Sequence, residues 1–301
     1  MTSLDALDGL PPSRAFDRPA GTLRYVDEGA GPTVVCVHGN PTWAWYYRRL
    51  VAALADGHRV VAPDHLGMGR SDTPADDAYG WDLAARVDDL SALFDHLQVG
   101  VAAPATLVVH DWGGPIALTW AARHPQRVGR VVLTNTAAFP LLPGQRFPGL
   151  LRPARAPWLG DLLVRGANAF VRSTLTVGTR RGRLSPTARE GYLAPYRTPR
   201  SRTGVLRFVG DVPDGPTHPS HALLTWTGEH LDWLAQRPTM IVWGLRDPVL
   251  TPAYLAEWRR RLPDAETHAI PDAGHLVLED AAETVALIAA FLARTDPDGR
   301  S

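Results

Sequence analysis

The chain has 301 residues, of which 45% are hydrophobic and 21% charged, with 31 basic side chains balanced by 31 acidic ones. That is enough for one large domain or two small ones with a full core. The zero net charge and the lack of any eighteen-residue apolar run argue against a nucleic-acid partner and a membrane span, so a small molecule is the expected partner.

The opening MTSLDALDGLPPSRAFDRPAG carries acids early and no apolar core of a signal peptide, so a cytoplasmic location is expected. Strand-like runs follow at TLRYVDE (22–28) and TVVCVHG (33–39), then an amphipathic stretch over 45–54. The single cysteine, Cys36, lies inside the second run; it reads as a buried strand thiol and excludes an internal disulfide and a cysteine-rich metal site. HRVVAPD (58–64) is the next strand, and Leu83, Val87, Leu90, Leu93, Phe94 and Leu97 then recur at helical spacing. ATLVVH (105–110), a helix after Pro115, and RVVLTN (130–135) continue the alternation. After 136 the rhythm breaks into a proline- and arginine-rich stretch with short helix-like pieces such as LGDLLVRGANAFVRS and turns near Pro186 and Pro199. It resumes at TMIVWG (239–244), a helix around 255–262, ETHAI (266–270) and a last helix running to about Arg294.

Strands alternating with helices predict an α/β fold, a mostly parallel sheet covered on both faces. The break predicts an insertion: a core of 1–135 and 238–301, and a helical cap of 136–237 that roofs the carboxyl ends of the strands, where open α/β sheets bind ligands. Between Arg146 and Arg207 arginines far outnumber the acids Asp161 and Glu190, which reads first as a solvated basic face and second as a docking patch for an anionic substrate or partner. There is no lysine anywhere, and no functional reason for that is evident.

LVVHDWGGPIAL (107–118) ends a strand in an acid and opens a helix. A sharp strand-to-helix turn with Gly113 and Gly114 beside it would push Asp111 into the crevice while the helix start offers backbone donors. Aspartate there can also be a plain helix cap. Two further segments bear on the choice. VWGLRDPVL (242–250) puts Asp247 just past a strand, and PDAGHLVLED (271–280) puts His275 between the next strand and the last helix. The order nucleophile, acid, histidine is the one an α/β-hydrolase fold imposes on its triad. Asp272, Glu279 and Asp64 are competing acids, each readable as a turn or cap residue, and Asn135 has no carboxylate to offer.

HGNPTW (38–43) follows a strand whose turn would give one oxyanion-hole N–H, at Asn40, with the second at Trp112. Their side chains add an amide and an indole donor, which suit an anionic leaving group; the plainer readings are a turn residue and a core aromatic. A carboxylate with an ordinary pKa near ~4 is ionised at neutral pH and attacks without a base. Displacement at a saturated carbon would leave an alkyl ester on Asp111, which water activated by His275, oriented by Asp247, would hydrolyse. No metal-ligand spacing or phosphate-binding glycine loop occurs, so neither metal nor cofactor is expected.

Together HGNPTWAWYYR, DHLGMGRSD, VVHDWGG, WGLRDPV and DAGHLVLED resemble the haloalkane dehalogenase family of α/β-hydrolases across essentially the whole core, with Asn40, Trp112 and Asp247 placed as in its third subfamily. TNTAAFPL (134–141), RGANAF (165–170), GYLAPY (191–196) and RFVGDVP (207–213) resemble the similar β-lactone decarboxylase of bacterial long-chain olefin biosynthesis. The resemblance implies a capped α/β-hydrolase fold, Asp111, His275 and Asp247 as catalytic residues, and Asn40 and Trp112 on the leaving group or oxyanion. It also implies a hydrophobic small-molecule substrate and assembly with other enzymes of the olefin pathway. Two other readings stay open: an epoxide hydrolase, with Tyr192 and Tyr196 as the cap tyrosines it would need, and a non-catalytic binding protein of the same fold.

Overall fold

A computed structural model describes residues 4, 7, 9–145 and 147–295; parts of the opening stretch read for a leader, Arg146, and 296–301 lie outside it. Eight strands form one sheet: β1 (Arg14–Arg18), β2 (Gly21–Glu28), β3 (Thr33–Val37), β4 (Arg59–Asp64), β5 (Ala105–Asp111), β6 (Val128–Thr136), β7 (Thr239–Gly244) and β8 (Glu266–Ile270). Their spatial order is β1-β2-β4-β3-β5-β6-β7-β8. The first two pairings, β1 with β2 and β2 with β4, are antiparallel, and every pairing from β4 onward is parallel. The central runs TVVCV, ATLVVHD and TMIVWG are buried almost throughout, as strands covered on both faces must be. Cys36 is buried among them, and burial pushes its thiol up from its ordinary range. Sequence reading passed over β1, RAFDR, because an exposed edge strand carries charges where a core strand carries apolar residues.

The helices before the break are α1 (Arg48–Leu54), α2 (Leu83–His96) and α3 (Gly113–Arg123). α2 buries Leu83, Val87, Leu90, Leu93 and Phe94, the stripe read at helical spacing, and is capped by Asp82 accepting from the Ala85 N–H at 2.8 Å. α3 begins two residues before Pro115 rather than after it, because proline costs no hydrogen bond in a first turn. Between β6 and β7 lie α4 (Arg152–Arg155), α5 (Ala169–Val177), α6 (Pro186–Leu193), α7 (Thr203–Gly210) and α8 (His221–Glu229). The piece LGDLLVRGANAFVRS is split: a π-helical turn (Asp161–Gly166) and α5 are separated by Asn168 at φ +54°. α8 already packs on the core, where Thr119 and Thr227 hydroxyls meet at 2.6 Å. After β7 come α9 (Pro252–Arg261), α10 (Val277–Asp280) and α11 (Glu283–Arg294). Among the described residues no helix is long and apolar enough to cross a membrane.

From β3 the chain moves to β4 on one side, then crosses to β5 on the other. The direction of winding reverses between β3 and β5, and in such sheets the ligand crevice opens at the carboxyl ends of the two strands.

Candidate active site

Asp111 is the last residue of β5 and has φ +50°, a left-handed conformation that aspartate tolerates better than most side chains. The turn is possible because its neighbours lack side chains. A Cβ on Gly113 would lie 1.9 Å from the Val37 carbonyl oxygen, and one on Gly39 would lie 2.2 Å from Asp111 Oδ1. The Asn40 backbone N–H donates to Asp111 Oδ1 at 2.7 Å, and the Trp112 N–H also reaches the carboxylate. Burial pushes the Asp111 carboxyl above its ordinary range; His275 and the two backbone donors oppose that.

His275 faces Asp111 across 3.8 Å from Nε2 to Oδ2, while its Nδ1 bonds Asp247 Oδ2 at 2.7 Å. Asp247 is buried, and its other oxygen accepts from the backbone N–H groups of Val249 at 2.8 Å and Leu250 at 3.0 Å. Burial disfavours the His275 cation, but Asp247 by charge and hydrogen bond, and then Asp111, outweigh it and push His275 up to about 9. A histidine raised in the fold stabilises it fully below its unfolded value near about 6.5, and that stabilisation is lost as pH rises through the folded value. Urea unfolding is therefore expected to show wild-type stability falling from pH 7 to beyond 9, with a flatter profile in His275→Gln.

Two residues that the sequence did not reveal support this arrangement. Asn135, at the end of β6 with φ +34°, donates to Asp247 Oδ2 at 2.9 Å and to the Gly244 carbonyl at 3.1 Å, and accepts from the Gly244 N–H at 2.8 Å. It lacks the carboxylate sought at that position but holds the carboxylate that is used. The only signal was a polar residue ending an apolar strand. His110 Nε2 lies 3.0 Å from the His275 carbonyl oxygen, and the two rings are 4.6 Å apart. Asn135→Gly, which suits the backbone angle, is expected to lower kcat by about tenfold or more with little change in KM, since it strips a buried carboxylate of a donor worth about 1–3 kcal/mol. Steady-state kinetics would show it.

The competing acids are engaged elsewhere. Asp64 accepts from the N–H groups of Ala44 at 2.7 Å and Arg70 at 3.0 Å, Glu279 is held by Arg48, Arg49 and Tyr192, and Asp272 pairs with Arg181 at 2.9 Å.

Asn40 and Trp112 both line a cavity of about 160 Å³ with Asp111 and His275. Among the described residues no acceptor takes the Trp112 indole N–H. The Asn40 amide is turned toward α7, where Nδ2 donates to the Val205 carbonyl at 3.1 Å, so only its second amide hydrogen is free for a ligand. The reading of the Asn40 amide as a leaving-group donor is thereby limited to that one hydrogen. The rest of the wall is mostly apolar, with Phe139, Leu151, Phe170, Val177, Val209 and Leu224 among its residues and Ser173, Thr174 and Tyr254 as its polar members, and no arginine among the described residues reaches it. Docking of an anionic substrate by the basic stretch therefore has no foothold here, and several of those arginines are paired: Arg155 with Asp214, Arg181 with Glu283, Arg207 with Asp76. Tyr192 and Tyr196 are also absent from the cavity. Both are buried, bonded to Glu279 at 2.8 Å and to Met68 Sδ at 3.7 Å, so neither can serve as the cap tyrosine of an epoxide hydrolase. Among the described residues no group of three or more His, Cys, Asp or Glu is placed to hold a metal ion.

Comparison with known proteins agrees with this fold. Residues 32–282 match the model of the alpha/beta hydrolase fold family. A cis-3-alkyl-4-alkyloxetan-2-one decarboxylase of Shewanella oneidensis is 44% identical over 97% of this chain and 92% of its own length. Haloalkane dehalogenase 2 of Mycobacterium tuberculosis is 33% identical over 91% of this chain and 92% of its own length. The crystal structure of a haloalkane dehalogenase from Bradyrhizobium elkani superposes with a TM-score of 0.83 at 26% identity, covering 95% of this chain and 99% of that one. The chain thus belongs to the α/β-hydrolase fold family, among the enzymes related to haloalkane dehalogenases and alkyloxetanone decarboxylases.

Proposed function

We propose that this enzyme is a cis-β-lactone decarboxylase, turning a 3,4-dialkyl oxetan-2-one into an olefin and carbon dioxide, with Asp111 as nucleophile and residues 136–237 as a lid over a core of 1–135 and 238–301. The observation that carries the reading is a carboxylate, in place of a hydroxyl, at the elbow of an apolar cavity, with His275 beside it. A hydroxyl attacks acyl carbon with help from a base; an ionised carboxylate displaces a leaving group from saturated carbon unaided. The 44% identical relative adds the substrate class, since its name is that of a β-lactone.

Asp111 attacks the saturated ring carbon from behind its C–O bond. An ester forms to Asp111, the ring C–O bond breaks, and the ring oxygen leaves as a carboxylate that stays tethered to the neighbouring carbon. Trp112 and the free hydrogen of the Asn40 amide are the donors for that anion. Backside attack leaves the new carboxylate antiperiplanar to the Asp111 ester oxygen. The electron pair of its C–C bond can then form the double bond as the bond to Asp111 breaks, which releases carbon dioxide and restores the aspartate. No water is consumed, and a cis lactone gives a cis olefin.

His275 explains why the shared intermediate takes different routes. Its high pKa depends on nearby negative charge, Asp247 first and Asp111 after it. Esterification removes the charge of Asp111. If the leaving group is a halide and departs, His275 is freed to act as a base toward water, and an alcohol results. A tethered carboxylate keeps its charge in the cavity, favours the imidazolium and so withholds water activation. The haloalkane dehalogenase reading shares the first step and is favoured by the close structural match.

The test is to give the purified protein a long-chain cis-β-lactone and, separately, 1,2-dibromoethane, following olefin and bromide. Cis olefin as the main product with slow bromide release is the expected result. Fast bromide release without olefin would make it a haloalkane dehalogenase, and no turnover of either would leave a binding protein.

A further inference from the structure

Arg86 is a cation buried beside Trp112, one of the candidate anion donors, and the mechanism so far gives it nothing to do. It sits in the first turn of α2 with 1% of its surface exposed. Its Nη1 pairs with Asp211 at 2.6 Å, just past the end of α7, while Nε and Nη2 have no acceptor among the described residues. Asp211 in turn accepts from the Ser220 hydroxyl, and Ser220 Oγ accepts from the Leu83 N–H at 3.1 Å. The guanidinium carbon lies 3.8 Å from the ring centre of Phe208 and 5.5 Å from that of Trp112, and those two rings meet edge to face at 5.6 Å.

A buried cation with two unsatisfied nitrogens is costly, and an apolar side chain of the same length would fill the space more cheaply. Such a cost is expected where the charge acts on something. What lies next to this charge is the ring whose N–H is offered to the leaving group. A cation over an indole face draws electron density from the ring and strengthens its N–H as a donor, and in a dry wall water does not screen it, although Asp211 offsets part of the charge. α7 joins the two donors as well, since Val205 on it holds the Asn40 amide and Phe208 on it packs against both Arg86 and Trp112.

We propose that Arg86 is a positioning residue for the anion site, packing with Phe208 against Trp112 and placing a fixed positive charge beside the indole that serves as one of the two donors. It rests on the reading of Asn40 and Trp112 as leaving-group donors. A plain structural role is the competing account: the Arg86–Asp211 pair would simply tie α2 to α7. The two differ in sign. If the pair is only a tie, breaking it from either end weakens the fold and anion binding alike. If the charge matters, Arg86→Met weakens anion binding and Asp211→Asn, which leaves the cation without its counter-charge, does not.

The experiment measures bromide binding by quenching of tryptophan fluorescence at constant ionic strength, in wild type, Arg86→Met, Arg86→Lys and Asp211→Asn, each checked for folding by circular dichroism. Bromide affinity is expected to fall by about tenfold or more in Arg86→Met, to fall less in Arg86→Lys, and to hold or rise in Asp211→Asn. Equal losses in Arg86→Met and Asp211→Asn, or unchanged affinity in Arg86→Met, would overturn the proposal while leaving the donors in place. If Arg86→Met does not fold, a loss in Asp211→Asn alone overturns it, and unchanged or higher affinity there, with a loss in Arg86→Lys, supports it. A wild type that binds no bromide would overturn the donor reading and this proposal together.

Discussion

Asp111→Asn is expected to stop both olefin formation and bromide release, a loss of about four orders of magnitude or more, of the size seen when the nucleophile of a triad is removed. The amide is neutral and has no electron pair basic enough to displace a leaving group from saturated carbon, and no other carboxylate among the described residues lines the cavity. Fold and cavity should survive. Asparagine is among the residues most at home at φ +50°, and its carbonyl oxygen can still accept from the Asn40 N–H. A melting temperature near that of the wild type, with no olefin detected by gas chromatography, is the expected pair of results. A slow enzyme, down only about tenfold, would mean that a water or another side chain performs the displacement.

The second large effect divides by substrate. In His275→Ala, 1,2-dibromoethane should give about one bromide per enzyme and then stop, because the ester on Asp111 forms without the histidine but waits for a base worth about 10² to 10⁴ in rate. Intact-mass spectrometry should find the alkylated protein. With the cis-β-lactone the same variant should go on making olefin, within about tenfold of the wild type, because fragmentation of the intermediate needs no water and no base. If the lactone also stalls as an adduct, His275 takes part in decarboxylation and the charge argument given for it is wrong.

Much of this arrangement could be read from the sequence, for identifiable reasons. The central strands were legible because both faces are buried, so their apolar runs have almost no polar interruption, and Asp111, Asp247 and His275 were legible because each ends or follows a strand at the edge where ligands bind. β1 was not, since an exposed edge needs no apolar run. Asn135 escaped because its work lies in a hydrogen bond to a residue 112 positions later, a contact only the fold creates. The tyrosines 192 and 196 misled for the opposite reason: residue type suggested a polar handle in the cavity, while packing turned both hydroxyls toward other partners. Nothing in the sequence marks Arg86, and only its burial against Phe208 and Trp112 sets it apart.

Attack by Asp111 on a saturated carbon is tested most directly by where oxygen goes. Wild-type enzyme in molar excess over 1,2-dibromoethane, in water enriched in oxygen-18, allows a single turnover. If the ester forms and water then attacks its carbonyl carbon, the bromoethanol carries ordinary oxygen donated by Asp111, and the heavy isotope is found in the peptide that contains Asp111. Labelled alcohol with an unlabelled Asp111 peptide would mean that water attacked the substrate itself, and the carboxylate would not be the nucleophile.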